Sequence, residues 1–160
     1  MNSRFLIFAL CLFLGFSCSE KELEGLDVDL SLAQQTDVAF SISILEAVNT
    51  YRASINLNPI VLDLNYVSAF AVDHTLYMIE QNRISHDNFY ERSKALMQLP
   101  EINIVAENVA RGYTSAEDVV KAWLMSPQHK KNIEGDYTHS GIGIIKNQDD
   151  VYYFTQLFYR

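Results

Sequence analysis

The chain predicts an α+β fold: a three-layer α-β-α sandwich around a mostly antiparallel central sheet. Two observations carry that expectation. Three segments ahead of Ser126 space their apolar residues as amphipathic helices do, whereas the C-terminal end switches to the two-residue period of a strand hairpin. The last strand segment is apolar on both alternating faces, Val151, Tyr153, Leu157 and Tyr159 on one and Tyr152, Phe154 and Phe158 on the other. A strand without a polar face has to be covered on both sides, and the helices are the available cover.

The elements follow in order. Residues 38–57 read as a helix, with Ile44, Val48, Tyr51 and Ile55 on one stripe and Val38, Ile42 and Leu45 widening it; Asn58-Pro59 ends it. Asp63 is placed to cap a second helix, whose stripe is Val67, Phe70, Ala71, His74 and Met78. Residues 85–91 read as loop, and 104–110 as a further strand. A Ser-x-x-Asp box from Ser115 to Asp118 opens a third helix, buried along Ala116, Val119, Val120, Trp123 and Leu124. Ser126-Pro127 stops it and starts a short fourth, with Pro127 in the first turn, where its missing N–H is harmless. Residues 141–146 and 151–159, joined by Asn147-Gln148-Asp149-Asp150, form the hairpin.

Ahead of the domain the sequence has a different character. Residues 5–17 are uncharged and mostly apolar behind Arg4, the order and length of an export signal and too short to span a bilayer. Residues 14–18, ending Ser17-Cys18, resemble a bacterial lipobox, so residues 1–17 are expected to be removed and Cys18 to carry lipid. Ser19-Glu20-Lys21-Glu22 resembles the acidic tag of surface lipoproteins in some Gram-negative bacteria. Two or three acyl chains, at about 0.8 kcal/mol per buried CH₂, make such an attachment effectively permanent. Residues 18–37 then read as an acidic tether and 38–160 as the domain. Localisation follows as the bacterial cell envelope, lipid-anchored in the outer membrane or at the cell surface.

Charge supports that division. The net charge is −8, yet residues 19–37 alone hold six acids and one base, leaving the domain with 14 acids against 10 bases. A solvated, self-repelling leash accounts for most of the acidity. A basic nucleic-acid surface is excluded as a partner class. Cys11 and Cys18 are the only cysteines and both precede the domain, so no disulfide staples the fold.

Chemistry has few candidates. The chain lacks a phosphate-binding glycine loop, a Gly-x-Ser-x-Gly elbow, a His-Glu-x-x-His helix and a Cys-x-x-Cys pair, so no catalytic residue is assigned. His74 sits on an apolar stripe and reads as a core histidine bonded to backbone or a neighbour; His139 reads as an exposed turn residue. His86 and His129 lie in irregular or helix-start segments where side chains can face a cleft. Glu107 is anomalous, because alternation places it on one strand face with Val105 and Val109, and a buried carboxylate requires a partner. Two imidazoles and this acid would make either a hydrogen-bonded network or a three-ligand zinc site.

The order of short motifs is more specific than any one of them. Val48-Asn49-x-Tyr51-Arg52, Ala71-x-x-His74-x-x-x-Met78, Ser85-His86-x-x-Phe89, Glu107-Asn108-Val109-Ala110-x-Gly112, Trp123-Leu124-x-Ser126-Pro127-x-His129-x-x-Asn132-Ile133 and Gly141-Ile142-Gly143 together resemble the CAP superfamily. Its members include cysteine-rich secretory, venom-antigen and pathogenesis-related proteins, and the likeness is to the bacterial secreted branch. The resemblance implies an α-β-α sandwich with a cleft built on His86, Glu107 and His129, in which His86 and His129 are the residues for a divalent metal such as zinc. It also implies a non-catalytic binding module for a small apolar ligand or partner protein, with a metal-assisted hydrolase, such as a peptidase, as the alternative. The family's second cleft glutamate is absent: Ser126 stands near its place. Asn88 replaces a usual glycine, a substitution that a left-handed backbone tolerates.

Overall fold

The computed structural model describes residues 28–160. The export segment and Cys18 lie outside the described residues. A 3-10 helix (Leu30–Gln35) leads into α1 (Val38–Ser54), β1 (Val61–Leu62), α2 (Tyr66–Glu80), α3 (Phe89–Leu96), β2 (Val105–Arg111), α4 (Ala116–Met125), α5 (Pro127–Ile133), β3 (His139–Lys146) and β4 (Tyr152–Tyr159). The strands lie in the order β1-β3-β4-β2. β4 pairs antiparallel with both β2 and β3, while the two-residue β1 runs parallel to β3, so the sheet is mixed.

The two apolar faces of β4 are used as its sequence requires. Phe154 and Phe158 join Ile142 and Ile144 under α1, α4 and α5, in a cluster with Ile44, Val48, Val120 and Trp123. On the other face Leu157 packs with Val67, Phe70 and Leu96, and Tyr153 with Met78 and Val109, under α2 and α3. This is the three-layer sandwich, with α2 as its most buried helix: residues 67–72 are all buried. Helix α2 lies so close on β3 that a Cβ at Gly141 or Gly143 would run into the backbone of Val67 or Ala71. Thr75 ties the two layers, its Oγ1 lying 2.8 Å from Ala71 O and 2.8 Å from Thr155 Oγ1.

Most boundaries follow from local chemistry. Asp37 caps α1 by accepting from Phe40 N at 3.0 Å, and Ser115 caps α4 by accepting from Asp118 N at 3.2 Å. α1 ends three residues before the expected Leu57, as Asn56 turns left-handed at φ 62°. Its stripe is also narrower: Val38, Ile42 and Ile55 are exposed, and the buried line is Ser41, Ile44, Leu45, Val48 and Arg52. Asp63 does not cap α2. The residue before that helix is Asn65, and Asp63 Oδ1 accepts from Asn65 N at 2.7 Å, holding the turn ahead of it.

Three differences from the sequence expectation bear on the site. The stretch 85–91 is not all loop, because α3 begins at Phe89, entered through left-handed Asn88 (φ 58°). The buried residues of α3 are Arg92, Ser93 and Leu96, which show no apolar period. His139 opens β3 instead of sitting in a turn, its ring stacked on Tyr159 with centroids 5.1 Å apart. Finally, the ordered domain reaches back into the segment expected as tether. Ala33 is buried, and Thr36 Oγ1 donates to Ile142 O at 3.0 Å and accepts from Ile144 N at 2.9 Å. Together with the bond from Asp37 N to Ile144 O at 3.2 Å, this closes the edge of β3 beyond the short β1. No helix among the described residues is long and apolar enough to cross a membrane.

Candidate functional site

The site begins with the pleat of β2. Alternation sends Glu107 to the α2–α3 face, between Val105 and Val109, and Asn108 to the face beneath α5. Glu107 is 4% exposed, so its carboxylate has to be satisfied by protein groups. Arg92 of α3 supplies the charge: Nε at 2.9 Å and Nη2 at 2.6 Å both donate to Oε2. The ring of His86, on the turn before α3, places Nδ1 2.8 Å from Oε1. His74 of α2 closes the group, its Nε2 lying 3.8 Å from Oε1 and 2.8 Å from Ser85 O.

These contacts fix tautomers. A carbonyl only accepts, so Nε2 of His74 carries a proton; a carboxylate accepts likewise, so Nδ1 of His86 donates. When the His86 ring is neutral, its Nε2 is therefore the basic nitrogen. Its side chain is 50% exposed, the most open of the group. Burial holds the His74 imidazole below its ordinary pKa of 6.5, with the Glu107 charge acting in the opposite sense. His129 is likewise lowered, by burial and then by the neighbouring His86.

His129 arrives from the other side of the edge strand. Asn132 of α5 donates to Glu107 O at 2.9 Å and to Asn108 Oδ1 at 2.9 Å, and Asn108 donates to His129 O at 3.2 Å. The Glu-Asn pair thus does two jobs at once: the acid organises the α2–α3 network and the amide fastens α5 to the open edge of β2. The result is a His86–His129 pair with ring centroids 5.9 Å apart, tilted by 57°.

Of the residues singled out from sequence, His86 and Glu107 touch and His129 stands beside His86. No hydrogen bond among the described residues links His129 to Glu107. The imidazole pair also lies outside the nearest cavity, a hollow of about 230 Å³ between α2 and α3 lined by Phe70, Asp73, His74, Tyr77 and Arg92 among others. His74 is the buried, backbone-bonded histidine its stripe suggested, yet it belongs to the network as well. Arg92 was not foreseen; its only sequence signal is that a buried carboxylate needs a cation, and nothing local says which.

The donors do not make a three-ligand metal site. Glu107 has both oxygens engaged, one of them by a guanidinium, and among the described residues no group of three His, Cys, Asp or Glu side chains is placed to hold an ion. Other residues of the motif string are structural. Arg52 is 2% exposed and donates to Asn58 O at 2.8 Å, Ile133 O at 2.6 Å and Gly135 O at 2.8 Å, pinning α1 to the end of α5. Asn49 brackets Ile60, accepting from its N–H and donating to its C=O, both at 2.8 Å.

Comparison with known proteins agrees with this architecture. Residues 45–158 match the family described as "CAP: Cysteine-rich secretory protein family". Over 113 residues the chain is 30% identical to the uncharacterized protein YkwD of Bacillus subtilis (strain 168), covering 68% of this chain and 44% of that protein. The chain thus spans less than half the length of this relative. Among solved structures, an outer surface protein of Borrelia burgdorferi superposes with a TM-score of 0.63 at 24% identity, over 83% of this chain and 96% of that one. An extracellular protein containing an SCP domain from Bacillus anthracis str. Ames gives 0.62 at 25% identity, over 73% and 39% of the two chains. The family match extends through both faces of the sandwich and includes His86, Glu107 and His129: the chain belongs to CAP, the cysteine-rich secretory protein family.

Proposed function

We propose that this chain is an extracytoplasmic, lipid-anchored CAP domain acting as a non-catalytic binding module, which takes a small apolar ligand or a partner protein at the face carrying His86 and His129. One observation carries the reading: both oxygens of Glu107 are occupied, Oε2 by two nitrogens of Arg92 and Oε1 by His86. A carboxylate so engaged organises its neighbours and is not free to take a proton from water or substrate. Hydrolysis with Glu107 as base would require the acid to leave a buried arginine, leaving that charge unpaired. The exposed part of the site is an imidazole edge on a rigid support, suited to recognition.

The display outside the cell draws on the export signal and on relatives described as an outer surface protein and an extracellular protein. Attachment through Cys18 would leave nine residues, four of them acidic, before the first described residue, Val28. The test is untargeted mass spectrometry of small molecules and metals co-purifying with the native lipoprotein, beside a His86→Ala/His129→Ala variant. A retained apolar molecule or protein that the double variant loses supports the reading. Turnover of a peptide or ester panel that disappears in Glu107→Gln overturns it.

A further inference from the structure

At the end of the sheet away from the β3–β4 turn, a hollow of about 670 Å³ opens between the start of α2, the loop 99–103 and the end of β4. None of its lining residues belongs to the His86–Glu107–His129 group. Three aromatic side chains, Tyr66, His139 and Tyr159, line it together with apolar Leu99 and Ile102. The His139 and Tyr159 rings stack nearly parallel, 17° apart, and form a preformed platform. Tyr159 donates to Asp63 Oδ2 at 3.0 Å, which fixes the platform against the α2 turn.

The charge around this platform is one-sided. Asp63 and Glu101 both line the hollow, and neither forms a salt bridge among the described residues. Their effect is felt by the Tyr159 phenol, which burial and then the charges of Asp63 and Glu101 push up. The arginine at the rim, Arg160, is engaged by Asp136, a residue of the neighbouring depression. An anion entering here meets two carboxylates. Asp63 accepts hydrogen bonds from Asn65 N and the Tyr159 hydroxyl, yet neither acid has a cationic partner among the described residues, and a neutral apolar molecule supplies none. A cation is attracted by the carboxylates and by the faces of the rings together. The volume lies inside the ~300–1,000 Å³ range of small-molecule sites.

We propose that this hollow binds a small organic ammonium ion bearing an apolar or aromatic part, the ammonium held between Asp63, Glu101 and the Tyr159 ring and the apolar part against Leu99 and Ile102. The site stands apart from the proposed function of the histidine face, and either can fail alone.

The experiment is a titration of the full chain, followed by amide chemical shifts, with 2-phenylethylamine and with its uncharged counterpart 2-phenylethanol at pH 7. The amine is expected to saturate in the millimolar range with shifts centred on Thr138, His139 and Tyr159, and the alcohol to bind about fivefold more weakly or worse. Glu101 is exposed, so Glu101→Gln keeps the fold and is expected to weaken the amine about threefold, leaving the alcohol unchanged. Asp63→Asn also disturbs the turn at Asn65 and is not the deciding variant. Equal affinity for amine and alcohol, indifference to Glu101→Gln, or shifts centred on His86 and His129 would overturn the proposal. So would association with phosphatidylethanolamine vesicles in the absence of any response to the free amine.

Discussion

Arg92 places two nitrogens on one oxygen of Glu107, at 2.9 and 2.6 Å, with both side chains buried. The pair joins α3 to the edge strand and is the ionic centre of the candidate site. Removing one member leaves a buried charge with nothing opposite it. Arg92→Met is therefore expected to lower stability by about 3–5 kcal/mol in urea unfolding. Adding Glu107→Gln to that variant should recover a substantial part of the loss. A double variant no more stable than Arg92→Met would show that the pair does not act as a unit.

Acid should destabilise the domain through its histidines. His74 and His129 both have folded-state pKa values below the ordinary 6.5, chiefly because burial disfavours the charged ring. The unfolded chain then binds protons more readily than the native one. Their contribution is fully present above pH 6.5 and is lost as the pH falls below it toward the folded values. Denaturant midpoints at pH 7.5 and 5.5 should differ in that direction, and His74→Gln should shrink the difference. A midpoint that rises on acidification would contradict the burial argument.

Zinc provides a third check. With Glu107 engaged by Arg92, two imidazoles are the remaining donors, and closed or catalytic zinc sites use three or four protein ligands. Calorimetric titration at pH 7.5 should show no saturable uptake tighter than about 10 μM. Tight binding abolished by His86→Ala with His129→Ala would mean that the carboxylate rearranges to admit an ion.

Attachment can be read by fractionation. If Cys18 carries the proposed lipid, Cys18→Ala should move the protein from the membrane to the soluble fraction, because the acyl chains and not the acidic segment would hold it there. Continued membrane association would require a different anchor.

The parts that were legible in sequence are those whose burial is apolar and periodic. Helix α2 shows its stripe from Val67 to Met78, and β4 shows two apolar faces, which together imply cover on both sides of the sheet. Glu107 was legible as an anomaly, since a carboxylate between two valines in a strand needs a reason. What stayed hidden depends on partners distant in sequence. α3 buries an arginine and a serine, so it lacks a stripe, and Arg92 becomes meaningful only when Glu107 is beneath it. The two-residue β1 is too short for any pattern, being held instead by its neighbour β3, with Asn49 fixing the preceding Ile60. Thr36 joins the sheet edge through its hydroxyl, and a polar segment of that kind reads as linker.

That hydroxyl also determines where traction on the N-terminal side enters the molecule. A pull transmitted past Val28 reaches the 3-10 helix and then the bonds of Thr36 and Asp37 along β3, all of which bridge the same short stretch, Ile142 to Ile144. These bonds are loaded together and before α1, so the first element to peel away under tension is the terminal clip, while the sandwich and its histidine face stay assembled behind it.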